Sequence, residues 1–97
     1  MKPSQRQAWI ENYLRETSQF SQASVDILDK DFVMEYISAT GARWAPGLSG
    51  APFCKVLDND LREMTKAGVL NRHRSGLGDM AGMGFPRWVF VYSLADA

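Results

Sequence analysis

A single cysteine stands in the 97 residues, at position 54, and a single histidine, at position 73. One thiol cannot close an intrachain disulfide, and one Cys with one His falls short of the ligand set of a structural zinc site. No run approaches the roughly 18 apolar residues that a membrane-crossing helix requires. The opening MKPSQRQ has no apolar stretch of the signal-peptide kind. The expectation is a cytoplasmic chain with neither metal nor cofactor. Net charge is missing too: eleven Lys and Arg balance eleven Asp and Glu. Holding nucleic acid nonspecifically by phosphate neutralisation takes a basic surplus, and the chain as a whole has none.

What is present suffices for one packed domain. Hydrophobic residues make up 45% of the chain and aromatics 11%, enough apolar surface to offset the ordering of the chain and to exclude disorder. This length supports one core rather than two. No repeat, low-complexity tract or linker divides it, so residues 1–97 are expected to form a single domain. The zero charge sum hides an uneven distribution. Residues 1–41 carry four basic side chains (Lys2, Arg6, Arg15, Lys30) against six acidic ones (Glu11, Glu16, Asp26, Asp29, Asp31, Glu35), a balance of −2. Residues 42–97 carry seven against five, a balance of +2.

Ser4 with Gln7 three positions on has the form of a capping box. Ile10, Tyr13, Leu14 and Thr17 follow at i, i+3, i+4 and i+7, with Trp9 and Phe20 widening the stripe. A helix is predicted over about residues 4–19. Residues 21–24 read as a turn, and the alternation in Val25-Asp26-Ile27 suits a very short strand. Asp29 or Asp31 then caps a second helix, about 30–40, whose apolar face is Phe32, Val33, Tyr36 and Ile37 and which ends at Gly41. The segment 42–53 has two prolines and two glycines and reads as a turn-rich connection. A third helix over 54–67 buries Cys54, Leu57, Leu61 and Met64, and Gly68 stops it. Val69-Leu70 opens a strand running to Arg74, residues 75–86 form a long Gly-rich loop, and the closing strand places Trp88, Phe90 and Tyr92 on one face and Val89 and Val91 on the other. Apolar residues on both faces imply that the hairpin packs against the helices, with Val25–Ile27 as a third strand.

The polar face of the third helix carries the functional signal. Lys55, Asn59, Arg62 and Lys66 recur at spacings of 4, 3 and 4, forming one stripe opposite Leu57 and Leu61. Arg forks onto guanine, Asn onto adenine, and Lys pairs with phosphate. The competing reading is a solvated helix face on which Asp58, Asp60 and Glu63 serve as ion-pair partners.

The order of elements bears on that choice. The pattern Leu57-x3-Leu61-x2-Met64-x3-Gly68-x-Leu70-x-Arg72, continued by Arg87-Trp88-x3-Tyr92-x-Leu94, resembles the winged helix-turn-helix DNA-binding superfamily. The likeness spans strand 25–28, helix 30–40, helix 54–67 and hairpin 69–94, preceded by helix 4–19. It implies an α+β winged helix, a three-helix core with a small antiparallel sheet. In that family the helix before the hairpin enters the major groove and the hairpin tip touches the backbone or minor groove. The implied DNA-binding residues are Lys55, Asn59, Arg62 and Lys66 on the helix, with Arg72, Arg74 and Arg87 at the base of the wing. Two features depart from the pattern: the connection between the second and third helices is long and Pro-rich, and Gly76–Pro86 holds no basic residue and one acid, Asp79.

Other residues admit two readings each. His73, between two arginines, reads as an exposed imidazole rather than a catalytic base. Cys54 starts a helix, where a thiolate is stabilised, yet it also lies on the apolar stripe, where a buried structural thiol is the common case. Met80 and Met83, with Phe85 and Leu77, offer an adaptable apolar contact for a protein partner. Trp44 either stacks on a partner or anchors its loop to the core. Trp9 and Tyr13 on the first helix make it the natural element for a homodimer. The expected function is that of a non-enzymatic, small prokaryotic or phage-type regulator binding double-stranded DNA. The alternative is a winged helix used for protein–protein contact without DNA.

Overall fold

The structure, a computed structural model, describes residues 1–19, 24–47, 50–78 and 86–96. Its elements run α1 (Pro3–Ser18), β1 (Ser24–Val25), α2 (Lys30–Thr40), α3 (Lys55–Lys66), β2 (Leu70–Gly76) and β3 (Trp88–Leu94). The result is an α+β arrangement of three helices and a three-stranded antiparallel sheet in the order β1-β3-β2. Phe20, Met80, Met83 and Phe85, and with them the apolar contact expected of the hairpin tip, lie outside the described residues.

Each helix end has a local cause. The first helix starts earlier than the Ser4 capping box suggests, because Pro3 at its first position has a φ already suited to a helix. The Lys2 N–H donates to Gln5 Oε1 at 3.0 Å in place of the expected pairing. Asp29 caps α2 as expected, its Oδ1 accepting from the Phe32 N–H at 3.2 Å. Gly41, in the left-handed region at φ 69°, ends it. At the end of α3, Gly68 adopts φ 80°, and the N–H groups of Gly68 and Val69 return to the carbonyls of Thr65 and Met64 at 3.1 and 3.0 Å. This Schellman closure turns the chain directly into β2.

The sheet differs from expectation in length. β1 keeps only Val25 of the expected strand and adds Ser24, expected in the turn; the two pair with Tyr92 and Ser93, while Asp26 and Ile27 turn away toward α2, the Asp26 carboxylate accepting from the Leu28 N–H at 2.7 Å. β2 is longer than expected. Its register with β3 runs from Leu70↔Leu94 to Gly76↔Trp88, so Ser75 and Gly76 belong to the ladder rather than to the loop.

The long connection from α2 to α3 is also tied down. Ala45 and Phe53 exchange both backbone hydrogen bonds, at 2.9 and 2.7 Å. Inside that closure a side chain at Gly47 would fall on the Ala51 carbonyl, so the close approach demands glycine.

One core joins the elements: Ile10 and Leu14 from α1, Val25, then Phe32, Val33 and Tyr36 from α2, Leu57, Leu61 and Met64 from α3, and Leu70, Tyr92 and Leu94 from the sheet. Cys54 belongs to it as a buried free thiol. No helix among the described residues is long and apolar enough to cross a membrane.

Asp60 overturns an expectation. It is only 3% exposed and is no surface partner for the α3 stripe. Arg6 of α1 donates to both of its oxygens, Nε to Oδ2 at 2.8 Å and Nη2 to Oδ1 at 3.1 Å. The Tyr36 hydroxyl of α2 donates to Oδ2 at 2.6 Å. One carboxylate thus ties all three helices together, and its fork-to-fork geometry with Arg6 fixes how they meet. Hydrogen bonding to Asp60 raises the pKa of Arg6. Burial, then the bond to Asp60, raises that of Tyr36.

Candidate nucleic-acid interface

The third helix is sharply two-sided. Leu57, Asp60, Leu61 and Met64 are buried, while Lys55, Asn59, Arg62 and Lys66 are all exposed on the opposite side. Their mutual contacts are loose. Arg62 Nη2 donates to Asn59 Oδ1 at 2.9 Å, its Nε lies 3.9 Å from Asp58, and Lys66 reaches Glu63 at 3.4 Å. Such surface pairs are worth a few tenths of a kcal/mol, about what an incoming phosphate or base edge would replace. Lys55 stands in the first turn, where its charge adds to the positive end of the helix dipole; this opposes helix stability and favours an anion.

The sheet brings the remaining basic residues to the same side. Arg72 and Arg74 are two positions apart on β2 and so share a face. There they meet the aromatics of β3: the Arg72 guanidinium lies 4.1 Å over the Phe90 ring and that of Arg74 4.5 Å over the Trp88 ring. Trp88 and Phe90 meet edge to face, with centroids 4.8 Å apart. His73 is exposed and lies between these arginines on the opposite face of the strand. Arg87 is exposed where β3 begins, its carbonyl accepting from the Leu77 N–H at 3.1 Å. The buried Tyr92 hydroxyl registers how closely the two elements approach. Burial raises its pKa, a hydrogen bond to Arg72 opposes the rise, and Asp58 and Arg62 of α3 act on it with opposite signs.

Between α3 and β3 lies a cleft of about 460 Å³, with Asp58 and Arg62 on its helix side and Trp88, Phe90 and Tyr92 on its sheet side. Of the expected site residues Arg62 lines this cleft, and Arg72 and Arg74 stack on two of its lining rings; Lys55, Asn59, Lys66 and Arg87 are exposed but do not line it.

Burial of the Arg6–Asp60 pair changes the charge balance of the surface. Removing that pair from the counts leaves three basic and six acidic side chains in residues 1–41, or −3. Residues 42–97 keep seven basic and four acidic, or +3. The polarity suggested by the sequence is stronger on the outside of the molecule than in the sum.

The α1–α2 side is the reverse of this. Trp9 and Tyr13, the expected dimer contacts, are half-buried and engaged within the chain. Trp9 stacks on Tyr13 at 5.3 Å and on Phe32 at 6.2 Å, and meets Tyr36 edge-on at 5.8 Å. The groove beside them is lined by Glu16, Asp31 and Glu35, without a Lys or Arg. Burial, and then the Glu35 carboxylate, push the Tyr13 phenol up to about 12. Trp44 does not anchor its loop: it is 56% exposed, and Phe53 is 54% exposed. Among the described residues no group of three His, Cys, Asp or Glu side chains converges as a metal cage.

Sequence reading missed Asp60, although a signal was present. With Leu57, Leu61 and Met64 it completes the i, i+3, i+4, i+7 series of the buried face. It also missed the Arg72–Phe90 and Arg74–Trp88 stacks, which the alternation of both strands would have allowed once their register was known. Comparison with family models, curated proteins and solved structures finds no match to this chain.

Proposed function

We propose that this chain is a winged-helix DNA-binding protein, a small transcriptional regulator that lays α3 in the major groove and steadies it on the phosphates with β2. The observation that carries the reading is the exposed Lys55/Asn59/Arg62/Lys66 stripe beside stacked Arg72 and Arg74, on the basic side of a molecule whose total charge is zero. Helix side chains of these types match base edges and phosphates. Guanidinium groups stacked on rings are preorganised, so less freedom is lost when they engage phosphate.

Arg62→Ala and Lys55→Ala are expected to weaken binding to duplex DNA about tenfold each, the lower part of the range for a base or phosphate contact, without lowering the melting temperature. Unchanged affinity in both variants would remove α3 as the reader. A second copy of the chain, seated along α1 through Trp9 and Tyr13, would supply affinity that one mildly basic module lacks. Because Glu16, Asp31 and Glu35 rim that groove, such a dimer should tighten as salt screens their repulsion. Sedimentation across a salt series checks this, and a monomer at every salt concentration would overturn it.

The second reading, a protein-interaction module that binds no DNA, is favoured by one observation, the exposure of Trp44 and Phe53 in the α2–α3 connection. It requires that no duplex bind even at low salt.

A further inference from the structure

Beyond holding the arginines in place, the aromatic floor finds no stacking partner on intact duplex DNA, whose bases keep their faces stacked and present only edges and phosphates to a protein. Yet Trp88 is 41% exposed, on the strand that borders the α3 cleft, and Phe90 and Tyr92 continue the same face. The cleft volume, about 460 Å³, falls within the range of roughly 300–1,000 Å³ for sites that take small flat ligands. Its walls divide the work. Trp88, with Arg74 over its ring and Phe90 against it edge to face, offers the part of its ring that stays exposed. Asp58 and Arg62, 3.9 Å apart on α3, set a hydrogen-bond acceptor beside a donor. Beside the cleft, Arg72 and Arg74, stacked on the Phe90 and Trp88 rings, pair with no carboxylate among the described residues and present cations to an anion. A flat ring with polar edges, joined to a phosphate, meets all three requirements.

We propose that the cleft between α3 and β3 seats one unpaired nucleotide, its base stacking against Trp88 and its phosphate meeting Arg72 and Arg74, so that the protein prefers duplex DNA carrying an unpaired base to fully paired duplex. The inference rests on the DNA-binding reading above and names the form of DNA within it. Stacking on an aromatic side chain is sequence-tolerant, so the preference is for the unpaired state rather than for one base.

The test is fluorescence anisotropy of a labelled blunt duplex and of the same duplex with a short single-stranded tail, at one salt concentration, with dAMP as the competing free nucleotide. The wild-type chain is expected to bind the tailed duplex about tenfold more tightly than the blunt one, in line with the stacking of one base. Trp88→Ala, which also frees Arg74 from its stack, should weaken the tailed duplex more than the blunt one and so lose most of that gain, and Trp88→Phe should retain most of it. Equal binding of blunt and tailed duplex by the wild type would overturn the inference and leave the DNA-binding reading standing. So would a Trp88→Ala loss shared equally by both probes. If neither duplex binds, the DNA-binding reading itself falls and the inference goes with it. Displacement of the tailed duplex by dAMP as readily as by unlabelled tailed duplex would overturn the DNA-borne source and make a free nucleotide the occupant.

Discussion

Along the groove between α1 and α2, Trp9 stacks on Tyr13 and on Phe32, those two rings meet at a tilt, and acids rim the groove. Across the molecule, Trp88 and Phe90 meet edge to face beneath Arg74 and Arg72. The same side-chain types do different work on the two sides. On the first, rings satisfy rings and the surface is acidic, so the aromatics belong to the fold. On the second, rings hold cations in place and part of their surface stays exposed, so they are available to a partner. The lesson is that an aromatic residue's role is read from what covers its faces, and that charge must be counted after buried pairs are removed.

The contrast breaks most sharply at the seam. Asp60→Ala would leave the Arg6 guanidinium and the Tyr36 hydroxyl without their shared acceptor, and is expected to cost about 3 kcal/mol in denaturant unfolding. A loss below about 1 kcal/mol would mean that water replaces the carboxylate and that the three helices are not held by it.

The two tryptophans separate the sides next. Trp9→Ala should cost roughly 2 kcal/mol, below the range for a fully buried ring because Trp9 is only partly buried. Trp88→Ala should cost less than about 1 kcal/mol. Equal losses of stability would erase the distinction between a structural and a presented ring.

A smaller effect sharpens the acidic side. The Tyr13 phenol is raised in the folded chain from 10.0 to about 12, so its neutral form is favoured by folding. The corresponding stability is fully present below pH 10 and is lost as pH rises through about 12. Burial shifts Tyr36 and Tyr92 in the same direction. Stability should therefore fall steeply above pH 10, and Tyr13→Phe should make that fall shallower in a pH series of urea melts.

The smallest expected change is at Asp26, whose pKa is raised by burial although the Leu28 N–H opposes the rise. A raised carboxyl contributes stability below its unfolded value of 3.8 and loses it as pH rises through the folded one. Asp26→Asn keeps an acceptor for Leu28 and removes the buried charge. At pH 7 it should be stabilising by less than about 1 kcal/mol, with the advantage shrinking as pH falls through the carboxylate range.

Much of the fold was legible because its signals are local. The Asp29 cap, the Gly41 and Gly68 stops and the Leu57/Leu61/Met64 stripe each depend on a few neighbouring residues. The exact ends of the strands were less legible: β2 runs on to Gly76 because Trp88 lies opposite it, and that is a property of register. Of the candidate site, the α3 stripe was readable from spacing. The stacking of Arg72 and Arg74 was not, since it depends on which residues of β3 face them. Asp60 was misplaced because a carboxylate within an apolar stripe was assigned by type rather than by position; the partners that make its burial tolerable, Arg6 and Tyr36, come from distant parts of the chain.

The polarity of the surface, basic around α3 and β2 within a neutral chain, is tested most directly by titrating salt against binding to random duplex DNA. A log–log slope of about −4 is expected, near −0.9 for each of four or more phosphate contacts from Lys55, Lys66, Arg72, Arg74 and Arg87. A slope near zero, or no binding at low salt, would contradict the assignment of this face to DNA.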